Sequence, residues 1–180
     1  MSQQILDPKQ IGQIEGWGHA RNIINGADAK SQFFKLVSEL GEWAEGVTIG
    51  DRDEVIDGIG DAFVVMTIMS RQLGSDIITL HADATTSGFP HTDLSLLALL
   101  GRLADNLAKG QDDDAKARIG QLAVALVKTA LRYGLDVNTC LLRAYNDIKD
   151  RVGVMYNGVY VKSTDPRFAS IIEELTQVVA

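Results

Sequence analysis

The chain has 180 residues, 46% of them apolar, which suits one domain over residues 1–180 able to bury a sizeable core, and nothing in the composition reads as disordered. A net charge of −7 offers no basic footprint for a nucleic-acid polymer, so among phosphate-bearing ligands a free nucleotide is favoured. The lone Cys140 excludes an internal disulfide, no apolar run reaches membrane-spanning length, and the first residues lack a signal-peptide pattern, so a cytoplasmic protein without membrane association is expected.

Asp7-Pro8 reads as a helix N-cap followed by proline at the first helical position, opening a segment that reaches about Asn25 before Asn25-Gly26 breaks it. Two further helices run from Lys35 to Leu73 and are joined by a turn around Gly50. On the first, Phe33, Leu36, Val37, Leu40, Ala44 and Val47 keep an i, i+3, i+4, i+7 rhythm and form the expected buried stripe, with Glu39, Glu42 and Glu45 on a neighbouring face. On the second, Ile56, Ile59, Phe63 and Met66 form the stripe, while Glu54, Asp57 and Asp61 project together.

Gly74 marks a helix stop, and Ser75 to His91 is weakly patterned, with Thr85, Thr86, Ser87, Gly88 and Pro90 marking a loop. His81 and His91 have no partner at zinc spacing and read as surface or capping residues. Leu94 to Leu107 is so rich in leucine that a helix buried all round is expected, which points to a subunit interface. After Gly110, the acids Asp112, Asp113 and Asp114 suit the positive end of a helix whose stripe runs from Ile119 to Leu131. Asp136 caps a further helix carrying Leu141, Leu142, Tyr145 and Ile148. Alternation over 154–161 about Asn157-Gly158 predicts a short β-hairpin, and Asp165-Pro166 predicts the start of a last helix.

Two antiparallel helices would set the acidic clusters opposite each other. Carboxylates that face one another repel and raise each other's pKa unless a cation lies between them, and oxygen-only ligands favour magnesium or manganese. The plainer alternative is a solvated acidic face. Neither a Walker loop nor a dinucleotide fingerprint is present, so phosphates would be held by metal and side chains.

The stretches QFFKLVSELGEWAE (32–45) and DEVIDGIGDAFVVM (53–66) resemble the MazG-like branch of the all-α nucleoside triphosphate pyrophosphohydrolases, phage and bacterial members in particular. Glu39, Glu42 and Asp61 match that family's acidic pattern; Ser38 and Gly58 depart from it, and Asp57 or Glu54 is expected to supply the oxygen that Gly58 lacks. The region of Trp17 and AYNDIKDRVGVMYNGVYVK (144–162) extend the resemblance, with Asn146 and Lys149 at the family's phosphate-directed positions and Arg151 expected to assist them. It implies an antiparallel helix bundle with a small peripheral hairpin, a metal shell of Glu39, Glu42, Asp61 and Asp57 or Glu54, and substrate contacts from Asn146, Lys149, Lys35 and Trp17.

The activity so implied is magnesium-dependent hydrolysis of a nucleoside triphosphate, a deoxynucleotide in the first instance, to the monophosphate and pyrophosphate. Metal-activated water would attack the α-phosphorus, with Glu39 or Glu42 taking its proton, in a homodimer or homotetramer. A rival expectation is a catalytically weak or inactive helical dimer that binds nucleotide or a protein partner. A di-iron bundle is disfavoured because no histidine follows a glutamate by three.

Overall fold

Helix starts follow the capping residues closely in the computed structural model, which describes residues 5–85 and 92–179. The carboxylates of Asp7, Asp28, Asp51, Asp76 and Asp136 accept backbone N–H groups at the starts of α1 (Pro8–Ala20), α3 (Ala29–Ile49), α4 (Arg52–Gln72), α5 (Ile77–Ala84) and α8 (Val137–Ile148). Thr92 and Ser95 form a reciprocal capping box at α6 (Asp93–Lys109). The short α2 (Ile23–Gly26), α7 (Asp112–Arg132) and α9 (Phe168–Val179) complete the helices, which make up 76% of the structure. Among the described residues the only strands are β1 (Gly153–Tyr156) and β2 (Val159–Lys162), paired antiparallel from Gly153↔Lys162 to Tyr156↔Val159. The fold is therefore all-α with a small hairpin, and Asn157 and Gly158 both have the positive φ that its two-residue turn requires.

The core is built around α4, which is buried almost without interruption from Gly58 to Ser70 and packs on α1, α2, α3, α5, α7 and α8. Its buried hydroxyls are satisfied within the helix, Thr67 donating to the Phe63 carbonyl at 2.7 Å and Ser70 to that of Met66 at 2.8 Å. Helices α5 and α6 pack mainly on α7.

Several sequence expectations are corrected. The first helix ends at Ala20, because Asn22 takes a left-handed conformation and restarts the chain as α2. On α3 the buried residues are Ala29, Leu36, Glu39, Leu40, Trp43 and Gly46, whereas Val37 and Ala44 face outward; the stripe is turned so that it contains Glu39. His81 is not a surface residue: it lies buried on α5, within the stretch read as weakly patterned, and burial lowers its pKa. His91 and the loop residues 86–90 lie outside the described residues. Helix α6 is buried on one face, with Leu96, Leu99, Leu103 and Leu107 inward, while Leu94 and Leu97 are 78% and 67% exposed. The last helix starts at Phe168 rather than at Pro166, after a turn in which Asp165 accepts the Arg167 N–H.

Candidate functional site

Helices α3 and α4 form a hairpin turned at Gly50, and two glycines let their backbones approach. Gly46 lies under the Glu54 side chain, and Gly58 lies against Trp43, whose backbone nitrogen would be 2.7 Å from a Cβ at position 58. In this antiparallel register the next facing pair is Glu39 and Asp61, and both line one cavity.

The cavity has a volume of about 220 Å³. Its walls come from α1 (Trp17), α2 (Ile23), α3 (Ser31, Gln32, Lys35, Glu39), α4 (Asp61, Val64, Val65, Ile68), the end of α8 (Ile148, then Arg151) and the hairpin (Gly158, Val159, Tyr160, Lys162). Trp17 meets Tyr160 edge-on at 6.1 Å, and the Arg21 guanidinium stacks 5.2 Å from the Trp17 ring centre. Arg21 also donates to the carbonyls of Lys149 and Arg151, each at 2.8 Å, tying the end of α8 and the root of the hairpin to α1.

Electrostatics concentrate on the two carboxylates. Glu39 is only 2% exposed, and burial raises its pKa against the lowering influence of Lys35, whose ammonium contacts its Oε1. Asp61 is pushed up to about 6, first by burial and then by the Glu39 charge, while Arg151 and Lys35 pull it down. Two acids that each resist ionisation, set against each other, favour a cation between them.

The remaining predicted residues lie elsewhere. Glu42 is on the exposed side of α3, where it accepts a hydrogen bond from Ser38 Oγ at 3.2 Å. Asp57 ion-pairs with Arg143 at 2.6 Å, and Arg143 also holds Asp53 at 2.8 Å; burial nevertheless leaves the Asp57 carboxyl above its ordinary range. Glu54 sits in the first turn of α4 over Gly46. Lys149 donates to Asn146 at 2.9 Å, and both are exposed at the end of α8, outside the cavity wall. The cavity thus unites Trp17, Lys35, Glu39 and Asp61 and leaves out Glu42, Glu54, Asp57, Asn146 and Lys149.

Sequence reasoning gave Arg151 only a supporting place and missed Gln32, Tyr160 and Lys162. The sole signal for the last two was the hairpin itself, whose alternation left Tyr160 and Lys162 on one face. Among the described residues no group of three or more His, Cys, Asp or Glu is placed to hold a metal. Two facing carboxylates still fit a magnesium-like ion, which commonly takes one or two protein carboxylates and completes its shell with water and substrate phosphates.

No family model and no solved structure matches the chain. Over 62 residues the chain is 42% identical to an uncharacterized 18.2 kDa protein of the rep-hol intergenic region of Haemophilus phage HP1 (strain HP1c1). The match spans 34% of this chain and 38% of the phage protein's length.

Proposed function

We propose that this cavity takes a nucleoside triphosphate and hydrolyses it to the monophosphate and pyrophosphate, with magnesium or manganese as cofactor, in the manner of the MazG-like pyrophosphohydrolases that the acidic stretches resemble. The observation that carries this reading is the convergence of Glu39 and Asp61 from antiparallel helices on a cavity that also holds Lys35, Arg151 and Lys162. When bound, the metal would offset phosphate charge and acidify a water. Glu39 and Asp61 hold that cation, and their repulsion, unfavourable alone, becomes affinity for it. Glu39 is the α3 carboxylate within the cavity and accepts the proton of the attacking water, while Glu42, outside the cavity wall, acts on it through its charge and a side-chain hydrogen bond. Lys35, Arg151 and Lys162 balance the charge of the departing pyrophosphate.

A volume of about 220 Å³ is below the ~300–1,000 Å³ of typical ligand clefts. The enclosed part therefore takes the base or sugar against Trp17, Val64, Ile68 and Tyr160, and the phosphates lie towards the mouth. We further propose a homodimer joined through α3 and α6, where exposed Leu94 and Leu97 flank a groove lined by Val37, Leu40, Ala44 and Leu100. The test is a panel of nucleoside and deoxynucleoside triphosphates incubated with magnesium and separated by anion exchange. Monophosphate and pyrophosphate in equal amounts support the reading; diphosphate and phosphate, or no product, refute it.

A second reading, nucleotide binding without turnover, is favoured by one feature. Asp57 is engaged by Arg143, and position 58 is closed by the Trp43 backbone, so among the described residues only two carboxylates reach the cavity. Nucleotide retained intact on the protein after prolonged incubation with magnesium would decide for it.

A further inference from the structure

We propose that Lys35 is a built-in counter-cation for the Glu39 and Asp61 pair, one that a divalent ion displaces on binding and that then turns to the phosphates of the ligand. The inference rests on the cavity being a cation-assisted phosphate site.

The two partners of the Lys35–Glu39 contact differ in freedom. Glu39 is fixed in the wall between α3 and α4, while the Lys35 side chain, one helical turn away, is 54% exposed at the mouth. Lysine carries a point charge on a flexible stem, so its ammonium can leave one oxygen and find another without moving the backbone, which a forked guanidinium does less readily. Glu39 cannot follow it. Lys35 is the only direct cationic contact of Glu39 among the described residues, and a buried carboxylate stripped of such a contact is strongly unfavourable, so Lys35 departs only when another cation takes its place. Asp61 lies within the field of the same ammonium, after the stronger field of Arg151, so departure of Lys35 leaves Glu39 without its cation and Asp61 with Arg151. Arg151, the other cation acting on Asp61, enters from beyond α8 and lines the same cavity.

The consequence is coupling. Metal alone must compete with Lys35 and binds weakly, whereas a ligand with phosphates gives the displaced ammonium a new partner, so metal and nucleotide each strengthen the other's binding. Removing the lysine charge should therefore tighten metal binding in isolation while weakening nucleotide binding.

The test is isothermal titration of manganese(II) at pH 8, with and without a triphosphate whose α,β-bridging oxygen is replaced by methylene, into the parent protein, Lys35→Met and Lys35→Gln. The glutamine variant keeps a hydrogen-bond donor beside Glu39 and guards against a fold defect in the methionine variant. For both variants we expect manganese alone to bind about tenfold more tightly than in the parent, a change of about 1.4 kcal/mol. The analogue should enhance manganese binding several-fold in the parent and hardly at all in the variants. Unchanged or weaker manganese binding in both variants, with the parent still binding it, would overturn the role of Lys35 and leave the metal reading standing. No manganese binding by any of the three proteins, with or without the analogue, would overturn both.

Discussion

Asp61→Asn separates electrostatic cost from function. The folded-state pKa of Asp61 is about 6 against an ordinary 3.8, so between these values the folded chain holds a proton that the unfolded chain has released. Stability therefore falls as pH rises from about 3.8 through about 6 and stays reduced above it. The displacement corresponds to about 3 kcal/mol, an upper bound because the cavity mouth admits solvent. Asparagine removes the ionisation while keeping nearly the same shape. The variant should thus be more stable than the parent by up to about 3 kcal/mol at pH 7.5 and by less than about 1 kcal/mol at pH 4. At roughly 2–4 °C per kcal/mol for a domain of this size, that upper bound corresponds to a gain in Tm at pH 7.5 of about 6–12 °C. Magnesium should raise the Tm of the parent and leave that of the variant nearly unchanged. Calorimetry at the two pH values, with and without magnesium, measures all of this. A variant less stable than the parent at pH 7.5, or a gain that is the same at both pH values, would refute the reasoning.

Gly58→Ala should cost about 3 kcal/mol or more, because its Cβ would press on the Trp43 backbone rather than on a flexible side chain; urea unfolding measures it, and a loss under 1 kcal/mol would show that α3 moves aside. Arg143→Met should lower stability by only about 1 kcal/mol, since its ion pairs with Asp53 and Asp57 are largely solvated, and thermal melts at pH 7.5 will report it. Leu97→Glu should convert a dimer to a folded monomer in light scattering at micromolar concentration; a monomeric parent would remove the α3–α6 interface from the account.

Much of the helical frame was legible because caps and turns act locally. Asp7-Pro8, Asp136 and Asn157-Gly158 each fix backbone geometry through their own side chains or φ preferences, and each stands where the pattern placed it. The phase of α3 was not legible. Val37 and Ala44 were counted inward by hydrophobicity, but the glycines at 46 and 58 draw α3 and α4 together along the line of Trp43, and that contact buries a carboxylate. The six acids therefore do not form two facing clusters. Glu39 meets Asp61, while Asp57 is drawn to Arg143, which lies 86 residues away in the chain. Long-range placement of the same kind brings Tyr160 and Lys162 to the cavity, since nothing within the hairpin's own sequence states which helices it folds against. The burial of His81 was missed because eight residues of α5 are too few to display a helical period clearly.

The most direct test of the central claim is a single turnover of the preferred triphosphate in water enriched in oxygen-18, with magnesium present, followed by mass spectrometry of both products. Attack at the α-phosphorus predicts one heavy oxygen in the monophosphate and none in the pyrophosphate, with the reaction lost in Asp61→Asn and Glu39→Gln. Heavy oxygen in the pyrophosphate, or turnover undiminished in both variants, would contradict it.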